Sequence, residues 1–223
     1  MGKVIAGFAT SLDGFIAGPN DGPEQPLGEG GERLFEWYFS GDTEFTMPSG
    51  AITLKLSPAS AEAVADIFRA TGAIVSGRRM FDVTNGWGGR HPIDVPVFVV
   101  THTVPEDWVK ENKGAPFTFV TEGVKSAVEQ AKQVAGDKIV GVGGANVAQQ
   151  CLELGLLDEI YVQLVPILLG DGVQLFDNVD AESLELETTR VVDAPGVTHL
   201  TCRVVKEGPA RTRHHPFEAP AKT

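Results

Sequence analysis

The chain has 223 residues, room for one large α/β domain or two small ones, and with 42% of them hydrophobic and 22% charged it has enough apolar material for a sizeable core. Its formal net charge of −12 argues against a nucleic-acid partner, because such binding depends on Lys and Arg neutralising phosphates. A phosphorylated small molecule stays open, since a few local cations can hold one.

The elements follow in chain order. Val4–Thr10 is a short apolar run that predicts a buried first strand, and Asp13-Gly14 marks a turn before Phe15-Ile16-Ala17. Residues 18–31 are dense in Gly, Pro and acids and read as a loop. Glu32–Phe39 carries five apolar or aromatic residues and reads as a short helix that buries one face. Residues 40–57 read as loop again, with Pro48 and Gly50 as breakers. Ser60 is placed to cap a helix over Ala61–Ala70. Strands are expected at residues 73–76, Val95–Thr101, Phe117–Val120, Lys138–Val142 and Glu159–Val165, with helices at Val124–Val134 and Val147–Leu154 and Gly155 closing the latter. Alternation around Leu184–Thr188 and His199–Val205 predicts antiparallel strands at the far edge of the sheet.

The βαβ rhythm predicts an α/β fold with one mixed, mostly parallel sheet flanked by helices. One domain is expected over residues 1–206, with residues 207–223 as a disordered tail. Cys151 and Cys202 show no metal-ligand spacing, so a reduced pair and no metal are expected. The first residues lack the apolar run of a secretory signal, and no stretch is long enough to span a bilayer. A cytoplasmic protein without a membrane partner is the expectation. The apolar run Ile160–Leu169 is compatible with a homodimer interface and equally with a sheet core.

Four segments carry chemistry. In Gly141-Val-Gly-Gly-Ala-Asn146 a strand ends in glycines and a helix begins at once, the pattern that brings backbone N–H groups to an anion such as a diphosphate. The same pattern serves tight packing alone. Gly77-Arg78-Arg79 places two cations after a buried strand, where they could grip a 2′-phosphate or pair with surface carboxylates. Thr101 and His102 end the next strand, at the strand ends where open sheets bind ligands. Asp13 ends the first strand and is either a turn residue or a carboxylate that orients substrate and relays a proton. No Ser-His-Asp, HExxH or P-loop pattern is present.

These segments together resemble the dihydrofolate reductase superfamily, and within it the RibD C-terminal reductase domain of riboflavin biosynthesis and its standalone relatives. The resemblance rests on Ser11–Ala17, Val75–Phe81, Val99–His102, Val142–Val147 and Leu157–Gly172. It implies a dihydrofolate-reductase-like domain that binds NADPH and transfers hydride to a small substrate, pterin-like or pyrimidine-like. By the matching motifs, Ala9, Ile16 and Ala17 would flank the nicotinamide, and Gly77, Arg78, Arg79, Thr101 and His102 would surround the adenosine phosphate. Gly143, Gly144, Ala145, Asn146 and Val147 would take the diphosphate and nearby ribose, and Asp13 would be catalytic. Glu36, Trp37 and Trp87 are substrate-pocket candidates, with Phe35 and Tyr38 as further aromatic walls. The resemblance also implies a cis peptide between Gly143 and Gly144. Where the riboflavin reductases usually place an acid before the paired glycines, this chain has Val142. The alternatives are a non-catalytic NADP(H)-binding protein of the same fold and a Rossmann-type NAD dehydrogenase. The second should carry its glycine turn after the first strand, where Ser11-Leu-Asp-Gly14 stands instead.

Overall fold

The central strands have two unlike faces, and that difference sets the architecture. In the computed structural model, which describes residues 2–177, 179 and 184–206, the first strand β1 (Val4–Ser11) turns Val4, Ala6 and Phe8 into a helix-covered core. Its intervening residues Ile5, Gly7 and Ala9 face an open cavity on the other side. Period-two alternation makes such a split automatic once the strand is straight.

After the turn at Asp13-Gly14 comes β2 (Phe15–Ala17), then a 3-10 helix over Gly31–Phe39 that buries Leu34 and Trp37. The segment expected to be loop holds a hairpin, β3 (Thr43–Thr46) and β4 (Thr53–Leu56). Pro48 and Gly50 do not break structure there but build its turn, where the Gly50 N–H bonds the Met47 carbonyl. Two four-residue strands with only Leu54 and Leu56 buried leave too short an alternation to read in advance. Helix α1 (Pro58–Ala70) is capped by Ser57, not Ser60: the Ser57 side chain accepts the Ser60 N–H, and Pro58 occupies the first position. Ser60 lies inside the helix, buried.

The parallel unit begins with β5 (Thr71–Gly77), which passes directly into α2 (Arg78–Val83). A left-handed turn over residues 85–89 leads to β6 (Val97–Val100), α3 (Glu106–Glu111) and β7 (Phe117–Val120). Helices α2 and α3 have six residues each, too few for helical periodicity to show in sequence. Helix α4 (Val124–Ala135), β8 (Ile139–Gly143), α5 (Ala145–Glu153) and β9 (Glu159–Val165) follow as predicted within a few residues. Strand β10 (Val173–Gln174) pairs with β2, and β11 (Glu185–Ala194) and β12 (Val197–Val205) finish the described chain.

The main sheet has the order β7-β6-β5-β8-β1-β9-β12-β11. Strands β7 to β9 in that order are mutually parallel, and β12 and β11 add antiparallel pairs at one edge, as expected. Helices α4 and α5 cover one face through Val124, Ala127, Val128, Ala131, Val147, Ala148 and Cys151. The other face is only partly covered, by α1, the 3-10 helix and the hairpin, through Val64, Leu34, Trp37, Leu54 and Leu56. Strand β9 is internal, between β1 and β12. The expected tail at 207–223 lies outside the described residues. Both cysteines are free thiols, and burial pushes that of Cys151 up to about 12. Among the described residues, no helix is long and apolar enough to cross a membrane, and no cluster of three metal-ligating side chains occurs.

The cap assignment is testable: Ser57→Ala should lower the free energy of unfolding in urea by about 1 kcal/mol, the usual cost of losing an N-cap side chain.

Candidate active site

Four neighbouring parallel strands, β6, β5, β8 and β1, end side by side, and a cavity of about 980 Å³ opens above and along their uncovered face. This volume is at the upper end of the range for small-molecule and cofactor sites. Ala9, Ile16, Ala17, Gly77, Arg78, Arg79, Thr101, His102, Gly143, Gly144, Ala145, Asn146 and Val147 all line it. Residues up to 138 positions apart thus meet at one site because successive parallel strands deliver their carboxyl ends to the same edge.

The β8–α5 turn is built for close approach. Gly144 has φ 91°, a left-handed value that glycine adopts without penalty, and no side chain caps the first turn of α5. Uncapped N–H groups at a helix start favour an anion. A Cβ on Gly143 would stand 3.0 Å from the Met80 sulfur, so the bare backbone here is part of the cavity's shape. The Asn146 side chain accepts a hydrogen bond from Gln150 at 2.7 Å. The expected cis peptide is absent: every peptide bond described is trans, and the turn is made by the positive φ of Gly144 instead.

The two arginines differ. Arg78 donates from Nε to Asp82 (2.7 Å) and from Nη1 to the Thr103 carbonyl (2.7 Å) and the Thr101 hydroxyl (3.2 Å). Arg79 forks onto the Asp21 carboxylate at 2.9 and 2.5 Å. Both therefore have carboxylate partners, as ordinary surface arginines do. The Arg78–Asp82 pair is exposed on both sides and of the kind that contributes only about 0–1 kcal/mol, whereas in the Arg79 pair the Asp21 carboxylate is only 12% exposed.

Three expected residues sit elsewhere. Asp13 does not line the cavity; its carboxylate accepts from the Ser11 hydroxyl and from the Leu169 and Gly170 N–H groups. The Ser11 bond, with help from those amides, holds it below the usual carboxylate range. Asp13 thus clamps the end of β1 to the loop after β9. Glu36 is exposed on the outer side of the 3-10 helix, and Trp37 is buried with its indole N–H on the Leu34 carbonyl. Neither lines the cavity, because the 3-10 turn presents Phe35 and Tyr38 to it instead. Trp87 does line it, held at φ 50° between two glycines with its ring 4.5 Å from that of His91.

The sequence reading missed one polar group. Tyr161 and Gln163 alternate with apolar residues on β9, facing the cavity beside Gly7 and Ala9 of β1. Tyr161 Oη lies 2.7 Å from Nδ1 of the buried His199, whose Nε2 is 3.0 Å from Ser60 Oγ. Burial raises the phenols of Tyr38 and Tyr161, the latter to about 12, and burial with the nearby Arg190 charge lowers His199 to about 4. Burial likewise lowers His91 to about 4. Period-two polar residues in an apolar central strand were the available signal. Their convergence with His199 and Ser60 required the fold.

A profile of the RibD C-terminal domain matches residues 2–206. The chain belongs to this family. Two Bacillus subtilis (strain 168) relatives are similar along most of their length. The uncharacterized protein YwjB is 24% identical over 189 residues, 84% of this chain and 91% of that protein. The uncharacterized protein YyaP is 26% identical over 213 residues, 89% of this chain and 93% of that protein. Among solved structures, a candidate riboflavin biosynthesis protein of Shewanella sp. PV-4 aligns with TM-score 0.65 and 21% identity, over 92% of this chain and all of that one. RibD of Acinetobacter baumannii aligns with TM-score 0.57 and 17% identity, over 92% of this chain and 58% of that one. Enterococcus faecalis dihydrofolate reductase, complexed with NADP(H), aligns with TM-score 0.50 and 14% identity, over 92% of this chain and 97% of that one. These likenesses establish a dihydrofolate-reductase-like fold for this RibD C-terminal domain.

The buried histidines and the Asp13 clamp each have a measurable consequence. A histidine held neutral in the folded state lets the unfolded chain bind more protons, so stability is lost as pH falls from the ordinary 6.5 towards about 4 for His91 and His199. The urea midpoint should drop across that window, and less steeply in a His91→Gln/His199→Asn double variant. Asp13→Ala should lower the thermal midpoint at neutral pH, which scanning calorimetry would check.

Proposed function

We propose that this RibD C-terminal domain is an NADPH-dependent reductase acting on a small planar substrate. The observation that carries the reading is the meeting of Ala9, Ile16–Ala17, Gly77–Arg79, Thr101–His102 and Gly143–Val147 around one cavity. Each group has chemistry suited to one part of the cofactor. The N–H groups opening α5 suit the diphosphate, and the guanidinium of Arg78, with Arg79 released from Asp21, suits a 2′-phosphate. The small side chains of Ala9 and Ala17 leave room for a flat ring against the end of β1. When bound, the reduced nicotinamide supplies a hydride to a C=N or C=O carbon, and the protein supplies position and exclusion of water.

The rest of the wall is apolar and aromatic, from Phe35, Tyr38, Met47, Phe68 and Trp87. Its single carboxylate is Asp21, already bound to Arg79, and Val142 is buried in the core. These two facts favour a neutral substrate over a pterin held by an acid. They also support the second reading, a non-catalytic NADP(H)-binding protein. Steady oxidation of NADPH in the presence of 7,8-dihydrofolate, a pyrimidine precursor of flavins or a quinone would exclude that second reading.

NADPH should bind at least about tenfold more tightly than NADH, a difference of about 1.4 kcal/mol. Arg78→Ala should bring the two affinities together, and Asp21→Asn should tighten NADPH by freeing Arg79. Isothermal titration calorimetry measures all three; equal affinities for the two cofactors in the unmodified protein would show that the arginines do not read the phosphate.

A further inference from the structure

Tyr161, His199 and Ser60 form a continuous hydrogen-bonded chain through the part of the sheet covered by α1. All three are buried, and His199 is 2% exposed. Burying polar groups at three such positions is costly unless each finds a partner, and here each does. Apolar residues of similar size would hold β9, β12 and α1 together without that requirement. The chain also has direction: one end reaches the cavity and the other lies away from it. Tyr161 pairs with Gly7 and Gln163 with Ala9 in the β1–β9 register, so the phenol stands one strand away from the proposed nicotinamide seat. A second cavity of about 320 Å³ lies behind, lined by His199 and Tyr161 and rimmed by Lys3, Asp66, Glu159 and Arg190. Its charged rim opens it to solvent.

We propose that Tyr161 is the proton donor to the substrate, that His199, itself held by Ser60, positions it, and that solvent in this second cavity resupplies its proton. The proposal rests on the reductase reading above. In the productive direction the Ser60 hydroxyl donates to His199 Nε2, Nδ1–H donates to the Tyr161 oxygen, and the phenol hydrogen faces the cavity. The substrate carbon takes the hydride, and the heteroatom of the same double bond takes the phenol proton. Tyr161 would then recover a proton from solvent through the second cavity, which it lines, while His199 keeps its Nδ1 proton and holds the phenol oxygen in place. One NADPH and one solvent proton would be consumed for each C=O or C=N bond reduced. The implied substrate is neutral and planar, with a carbonyl or imine acceptor at the Tyr161 end, and has no cationic group in want of a carboxylate.

The test uses the full chain. The sequence holds two tyrosines, Tyr38 and Tyr161, so labelling tyrosine with carbon-13 at Cζ yields two resonances, assigned with Tyr38→Phe. NADPH should shift the Tyr161 resonance. His199→Asn, which keeps an amide near the Nδ1 position, should leave that resonance closer to its original place than His199→Leu does. With menadione and 7,8-dihydrofolate as probes, Tyr161→Phe should lower kcat about 10²-fold, the usual contribution of a general acid. Its affinity for NADPH should stay within about twofold, as befits a group used in the chemical step. His199→Asn should retain more of kcat than His199→Leu. If NADPH binds, as its own fluorescence reports, and the Tyr161 resonance does not move, the proton-donor assignment is wrong while the cofactor reading stands. Wild-type turnover of either probe by Tyr161→Phe overturns it equally. If NADPH does not bind the unmodified protein, the reductase reading itself fails and the assignment falls with it.

Discussion

Everything at the proposed site depends on one side of a parallel sheet being left uncovered near its strand ends. Helices α4 and α5 fill one face of β5, β8 and β1, whereas on the other face α1 stands over β11 and the edge of β5 without closing over the centre. The residues exposed by that gap are small: Gly7 and Ala9 on β1, Gly141 and Gly143 on β8. A flat ligand can therefore lie against backbone. The same gap makes the phosphate end, because an uncapped helix starts where β8 stops.

The polar chain from Tyr161 to Ser60 belongs to the opposite margin of the gap, where α1, β9 and β12 close it. A sheet core of alternating Val, Ile and Leu would be simpler to stabilise, and each buried hydroxyl or imidazole left unpaired would cost about 1–3 kcal/mol. Satisfaction of every member makes the group rigid. It also joins the cavity wall to the main core, so that the cavity's shape and the packing of α1 depend on the same bonds. Asp13 serves a comparable purpose at the other end of β1, tying the β1–β2 turn to Leu169 and Gly170.

The residues expected to face the cofactor were readable because they lie in short contiguous motifs at strand ends, and backbone direction alone brings such ends together. The substrate wall was harder. Glu36 and Trp37 occupy a helix whose tighter, three-residue turn rotates Phe35 and Tyr38 inwards, and helical spacing by eye does not distinguish the two windings. The hairpin at β3–β4 was illegible because four-residue strands beside Pro48 and Gly50 look like a loop.

Local sequence thus determined the parallel core, the glycine turn after β8, the arginine pair after β5 and the antiparallel edge, since periodicity and chain order dictate each. Tertiary structure alone decided which carboxylates the arginines meet, that Asp13 clamps a loop, and that Tyr161 meets His199 across 38 residues and His199 meets Ser60 across 139. The physical reason is range. A turn or a strand is specified by neighbours in sequence, but a hydrogen bond between distant side chains exists only after the sheet has set its register.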